Sequence, residues 1–174
     1  MSKAVSMTGV ERFFNKNEII VSKTDLKGHI TYANKTFLDI AGYAEREVMG
    51  MPHSLIRHPH MPRCVFQLLW DTIQVKKEIF AYVVNRAKHG DHYWVLAHVT
   101  PSLDAQGQID GYHSNRRVPD KRILAEKIIP LYKTLLDEEE RHANRKEGMK
   151  SATALLLNLL QKKGVGYDEF VFSL

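Results

Sequence analysis

Ile79-Phe80-Ala81-Tyr82-Val83-Val84-Asn85-Arg86, the run from Tyr93 to Thr100 and the run from Ile109 to Arg117 follow one another at short intervals and are rich in β-branched and aromatic residues. The segments between them, Lys88-His89-Gly90-Asp91 and Asp104-Ala105-Gln106-Gly107-Gln108, carry the glycine and aspartate that tight reversals use. A three-stranded meander results. Upstream, Ile19 to Asp25, a turn at Leu26-Lys27-Gly28, and His29-Ile30-Thr31-Tyr32 read as a strand hairpin. Between hairpin and meander lie short helical patterns: Phe37, Leu38, Ile40 and Ala41 ending at Gly42, then Tyr43 to Gly50, then a longer helix through Val65, Phe66, Leu68, Leu69, Trp70, Ile73 and Val75. Two strands, several short helices and three strands make an α+β domain. Its expected form is a five-stranded antiparallel sheet with helices on one face.

Pro52-His53-Ser54-Leu55-Ile56-Arg57-His58-Pro59-His60-Met61-Pro62 cannot run as regular helix or strand, because its three prolines lack the N–H that either ladder needs. The segment gathers Arg57 and three imidazoles, His53, His58 and His60, just ahead of the longer helix. Cations beside free N–H groups at a helix start suit a phosphate or another anion, while an ordinary solvated loop has the same composition.

Length and charge bound the rest. With 174 residues, the chain holds one domain and an appendage. A hydrophobic fraction of 44% against 26% charged residues is that of a globular protein. The net charge of +5 comes from scattered Lys and Arg with no basic run, which argues against nucleic-acid binding. Cys64 stands alone, so no internal disulfide forms, and no apolar leader follows the N-terminus; the chain reads as cytoplasmic. Its longest apolar run, around Ala154 to Leu160, is far below the ~20 residues of a membrane span, so a membrane link would go through a partner.

Several motifs occur in one order: Tyr32-Ala33-Asn34-Lys35-Thr36-Phe37, Gly42-Tyr43, Gly50-Met51-Pro52-His53, Arg57-His58-Pro59, Met61-Pro62, Asn85-Arg86, Gly90-Asp91-His92-Tyr93-Trp94-Val95 and Gly111-Tyr112. Together they resemble the PAS sensor family, and within it the flavin-binding PAS domains of bacterial aerotaxis receptors, over residues 19–136. The resemblance implies FAD held non-covalently between helices and sheet, with redox or oxygen status passed to a signalling partner. It also shows two departures, His60 where the family has Asp and Ile79 where it has Trp. The first exchanges an anion for a titratable base, and the second removes a large aromatic from the rim.

A flavin needs an apolar slot for its ring, hydrogen-bonding groups at the polar edge and cations for its phosphates. Asn34 and Asn85 can donate and accept at once. Trp70 and Phe66 can wall a ring, and His53, Arg57 and His58 can meet phosphate or ribose. Each also has a bland role: Asn34 as a helix cap, Trp70 and Phe66 as core, Trp94 packed outward onto a partner. Catalytic signatures are absent. Haem on one of the histidines is the rival cofactor, and a cofactor-free interaction module is the rival class. Zinc would need a fourth ligand at suitable spacing.

The expected organisation is an N-terminal cap over 1–18, the sensor domain over 19–118 and a helical extension over 119–174. In the extension, Asp120 to Leu136 reads as an amphipathic helix interrupted at Pro130, and Asp137 to Lys150 as a charged, solvated stretch. Ala152, Leu155, Leu156, Leu159 and Leu160 then make an apolar stripe that something must cover, either a second copy in a homodimer or the chain's own sheet. No effector domain is legible, so the output is expected to be a protein contact.

Overall fold

The computed structural model describes residues 5–174, and the first four residues of the expected N-terminal cap lie outside them. Five strands, β1 (Ile20–Thr24), β2 (Ile30–Ala33), β3 (Ile79–Arg86), β4 (His92–Leu103) and β5 (Ile109–Arg117), form one sheet in the order β2-β1-β5-β4-β3. All neighbours are antiparallel. This is the expected α+β architecture. Residues two apart share a face, so Ser22, Val83, Asn85, Ala97, Val99, Tyr112, Ser114 and Arg116 look inward together.

Three helices cover the inner face: α1 (Lys35–Ala41), α2 (Glu45–Val48) and α3 (Arg63–Ile73). Helix α1 starts at Asn34, whose side chain accepts from the Phe37 amide, and stops at Gly42 in the left-handed conformation. Cys64, Val65, Leu69 and Ile73 of α3 are buried against the sheet. The proline-rich segment contains one 3-10 turn, His53–Ile56. Its two ends are tied to the two edge strands of the sheet: Pro52 bridges His29, just before β2, and Arg57 bridges Asn85 in β3.

The short helices keep to one face as expected, and the C-terminal extension covers the other. The chain continues through α4 (Lys121–Ile123), a π-helical turn (Leu124–Ile128), α5 (Ile129–Glu140), α6 (Arg145–Lys163) and α7 (Tyr167–Phe172). The π turn comes directly before Pro130, which removes one N–H from the helix ladder. Tyr132 of α5 donates its hydroxyl to the Tyr82 carbonyl, and Trp94, on the outward face of the sheet, packs on the Tyr132 ring at 6.1 Å. Asp168 of α7 accepts the Phe80 amide at 3.1 Å, occupying a donor on the β3 edge. These helices cover apolar side chains that the outward face would otherwise leave in water.

The charged stretch 137–150 is largely exposed, as expected, and forms the reversal between α5 and α6. Asn144 caps α6 by accepting from the Lys146 and Glu147 amides, turning α5 back on α6. Gly148 then packs directly on the backbone of Glu139. The stripe Ala152, Leu156 and Leu160 is buried by the chain itself, with Leu155 and Leu159 half-buried beside it. Each of the two buried leucines contributes ~1.5–3 kcal/mol. The stripe is therefore not free to serve as a dimer contact.

N-terminally, residues 8–12 run extended rather than helical. The Arg12 amide donates to the His92 carbonyl at 2.7 Å and the His92 amide to the Val10 carbonyl at 2.9 Å. Arg12 pairs with Asp91 at 2.8 Å and donates to the Ile40 carbonyl, joining the start of β4 to α1. Among the described residues, no helix is long and apolar enough to cross a membrane.

A Cβ at position 148 would lie 2.2 Å from the Glu139 carbonyl oxygen, a separation that backbone atoms do not tolerate. Gly148→Val is expected to lower stability by about 1–3 kcal/mol through overpacking. Urea unfolding checks this, with an unchanged midpoint contradicting the packed α5–α6 hairpin.

Candidate functional site

A cavity of about 330 Å³ lies between α3 and the inner face of the sheet, within the size range of small-molecule sites. Its walls are aromatic and aliphatic on the helix side, from Phe66, Leu69, Trp70 and Ile73, and mixed on the sheet side. Trp70 stands edge-on to Tyr112 at 5.3 Å, and its indole presses on the backbone of Gly28 in the hairpin turn. Gly28 has φ +81°, and a Cβ there would come within 3.3 Å of the indole, so glycine serves both the turn and the approach. The Arg57 guanidinium lies over the Phe66 ring at 4.3 Å.

One hydrogen-bonded cluster fixes the polar end. Arg116 of β5 donates to His53 Nε2 at 2.8 Å and to the Ser22 hydroxyl of β1. Because a guanidinium only donates, His53 Nε2 must accept, which places the imidazole proton on Nδ1. Burial, with the Arg116 charge adding to it, pushes the His53 imidazole down to about 3, so it is neutral. Burial likewise brings the Arg116 guanidinium down to about 10. Arg116 is 2% exposed, and among the described residues it has no carboxylate partner.

Three buried polar atoms of cavity-lining residues have no partner among the described residues: Asn85 Nδ2, Ser114 Oγ and Arg116 Nη1. Leaving a buried polar group unpaired costs ~1–3 kcal/mol. Three such groups lining one cavity are available to hydrogen-bond whatever enters it.

A second, wider cleft of about 700 Å³ adjoins the first, and Ser54, Arg57 and Arg63 line both. It is strongly cationic: Arg57, Arg63, Arg86 and Arg145 face it with His58 and His142, opposed by Glu139 and Glu140. His58 is buried, and desolvation followed by His60, His92 and Arg86 pushes it down to about 4.

Of the seven residues expected at a cofactor, His53, Arg57, Phe66, Trp70 and Asn85 line the first cavity. Two placements are corrected. Asn34 does not line either cavity, because its side chain accepts from the Val21 and Phe37 amides and donates to the Ile19 carbonyl, locking α1 to β1. His58 faces the second cleft rather than the first, its ring edge-on to His60 and His92. The free helix start expected at α3 is also partly taken, since Glu139 accepts the Cys64 amide at 2.9 Å. Of the two family departures, Ile79 is buried in the core and lines neither cavity, although it pairs with the lining residue Val99, and His60 is exposed. Cys64 does not line the first cavity, and burial raises its thiol to about 12, so it is neither placed nor ionised for an adduct.

Sequence reasoning missed Ser22, Ser114, Arg116 and Met149. The alternation Tyr112, Ser114, Arg116 along β5 carried a signal, an arginine in phase with an inward tyrosine. Met149 carried none, as it comes from a helix not expected near the site. Among the described residues, no group of three His, Cys, Asp or Glu side chains is arranged to hold a metal ion.

Comparison with known proteins agrees with this geometry. A family model described as a PAS fold matches residues 30–116. The chain is 44% identical over 117 residues to the aerotaxis receptor of Escherichia coli (strain K12), a match spanning 67% of this chain and 22% of that protein. It is 27% identical over 119 residues to a nitrogen fixation regulatory protein of Klebsiella pneumoniae, spanning 68% and 24%. The match thus spans under a quarter of these relatives' length. A light-oxygen-voltage domain from a flavin-analogue study superposes with a TM-score of 0.56 at 19% identity, covering 70% of this chain and 87% of that one, a likeness of fold.

The two depressed histidines make stability depend on pH. In the unfolded chain an imidazole titrates near 6.5, whereas His53 and His58 take a proton only near 3 and 4 in the fold. Their contribution is complete above the unfolded value and is lost as pH falls towards the folded values. Between pH 6 and 5 each should remove about 1.4 kcal/mol per pH unit. Urea unfolding across that window should show the fall, and His58→Gln should reduce its slope by about half. A wild-type slope of zero would contradict the neutral, buried imidazoles.

Proposed function

The chain belongs to the PAS family, and from that premise we propose that it is a redox or oxygen sensor that binds FAD non-covalently and signals through protein contacts. The observation that carries the reading is the trio of unpartnered polar atoms on Asn85, Ser114 and Arg116 around an aromatic-walled cavity. A flavin ring has the matching chemistry, with carbonyl and ring-nitrogen acceptors at one end and an apolar, flat body. Asn85 would orient its polar edge, Arg116 would supply positive charge, and Trp70 and Phe66 would exclude water from its faces. When bound, the flavin supplies reversible electron uptake, which the positive charge of Arg116 favours.

The adjoining cationic cleft supports the dinucleotide rather than the mononucleotide. Arg57 and Arg63 line both spaces and would hold the diphosphate at the junction, leaving the second cleft for the adenosine half. Haem is less well served. His53, an imidazole at the first cavity, already accepts at Nε2 within the Arg116–Ser22 cluster, and His58 faces the other cleft. The downstream contact would be with a signalling protein, membrane-anchored or cytoplasmic, and the working form a homodimer through a surface other than the buried α6 stripe.

The absorption spectrum of the purified chain tests this directly. A yellow protein that releases FAD on denaturation is expected, a red one would point to haem, and a colourless one that takes up no added FAD would point to an interaction module. Arg57→Ala should weaken FAD binding at least tenfold, because a charge-assisted phosphate contact contributes about 1.5–3 kcal/mol. Unchanged affinity in a folded variant would remove Arg57 from the phosphate site.

A further inference from the structure

The residues after 116 lie outside the matched family model, yet six of them reach the cavities described above, Met149 the first and Leu136, Glu139, Glu140, His142 and Arg145 the second. Met149, one turn into α6, lines the ring cavity, where its thioether packs against the hydrophobic core. Arg145, the first residue of α6, faces the cationic cleft across from Arg57 and Arg63. The hairpin is held to α3 by the Glu139 carboxylate on the Cys64 amide, and its two helices are held to each other by the contact of Gly148 with the Glu139 backbone. The α5–α6 turn therefore closes one side of both spaces.

Electrostatics decides what this closure does. Without a ligand, Arg57, Arg63 and Arg145 repel one another across the cleft, and the charges of Arg63 and Arg145 both act against the Arg57 cation. Among the described residues, Glu139 and Glu140 are the carboxylates that oppose them there. A diphosphate placed among the three guanidiniums turns that repulsion into attraction, because each cation then faces an anion instead of another cation. The same anion would bind α6 to the sensor domain.

We propose that the C-terminal hairpin completes the cofactor site, with Arg145 contacting the diphosphate and Met149 closing the ring cavity, so that α6 docks more firmly on the loaded domain than on the empty one. This rests on the FAD reading, and it adds that residues outside the PAS core set cofactor affinity and make the hairpin a reporter of occupancy.

Riboflavin and FAD, titrated separately into the flavin-stripped full chain, resolve the two contributions, since riboflavin has the ring and no phosphate. Arg145→Glu, at an exposed helix start, should weaken FAD at least tenfold and leave riboflavin within twofold of wild type. Met149→Trp should weaken both flavins together by filling the ring cavity. In the wild type, FAD should slow amide hydrogen exchange across Arg145–Lys163 at least tenfold, and Arg145→Glu should lose that slowing. An Arg145→Glu chain that binds FAD as wild type does, or wild-type exchange in α6 indifferent to FAD, overturns this inference and leaves the FAD reading standing. A wild-type chain that binds neither flavin overturns the FAD reading itself, and this inference with it.

Discussion

The contact of Arg116 with His53 and Ser22 holds together three parts of the chain that are far apart in sequence: the last strand, the first strand and the proline-rich turn. Burying a guanidinium among neutral acceptors is costly, because the surrounding protein replaces only part of the water it gives up. The cost is met in part by pinning His53 in its neutral form and by the Phe37 ring, over which the guanidinium lies at 5.5 Å. What remains uncompensated is one unpaired nitrogen on a cavity-lining side chain. The cavity is thus electropositive at its polar end and apolar at its walls, and that asymmetry fixes which way round a flat, acceptor-bearing ligand would lie.

The proline-rich turn owes its position to both edges of the sheet. Prolines 52, 59 and 62 deny it a regular ladder, so it can only be held by isolated bridges, to His29 at one end and Asn85 at the other. The second bridge brings Arg57 beside Asn85, which is how a cation from a loop and an amide from a strand come to line one cavity. The Arg86 guanidinium donates to the Leu55 carbonyl at 2.9 Å and steadies the same turn. Rigidity here comes from the sheet, while the loop supplies the charges.

The C-terminal helices depend on the sensor domain as much as they cover it. Glu139 satisfies an amide at the start of α3, Asp168 an amide on the β3 edge, and Tyr132 a carbonyl in the same strand. Buried or edge backbone groups left without such partners would cost free energy, so removing the helices would expose both apolar surface and unpaired hydrogen-bonding groups on α3 and β3. Sensor domain and extension are coupled through these polar contacts, of which Glu139 also lines the second cleft.

The sequence by itself determined the elements and their order, because alternation along 79–117, the glycine turns and the Asn34 cap are local signals that act over a few residues. It also pointed to five residues that line the cavity, since His53, Arg57, Phe66, Trp70 and Asn85 sit in motifs whose chemistry is recognisable without coordinates. Tertiary structure alone decided the rest. Asn34 has the right chemistry for a ligand but its hydrogen bonds are consumed by the backbone around it. His58 is one residue from Arg57 yet points into a different space, because the path of the turn separates neighbouring side chains. Arg116 comes to line the cavity only through strand register, and Met149 only through the reversal of α5 onto α6 at Asn144 and Gly148. Which side chains meet across such distances is set by packing among elements, and packing is a property of the assembled chain that no local run of residues contains.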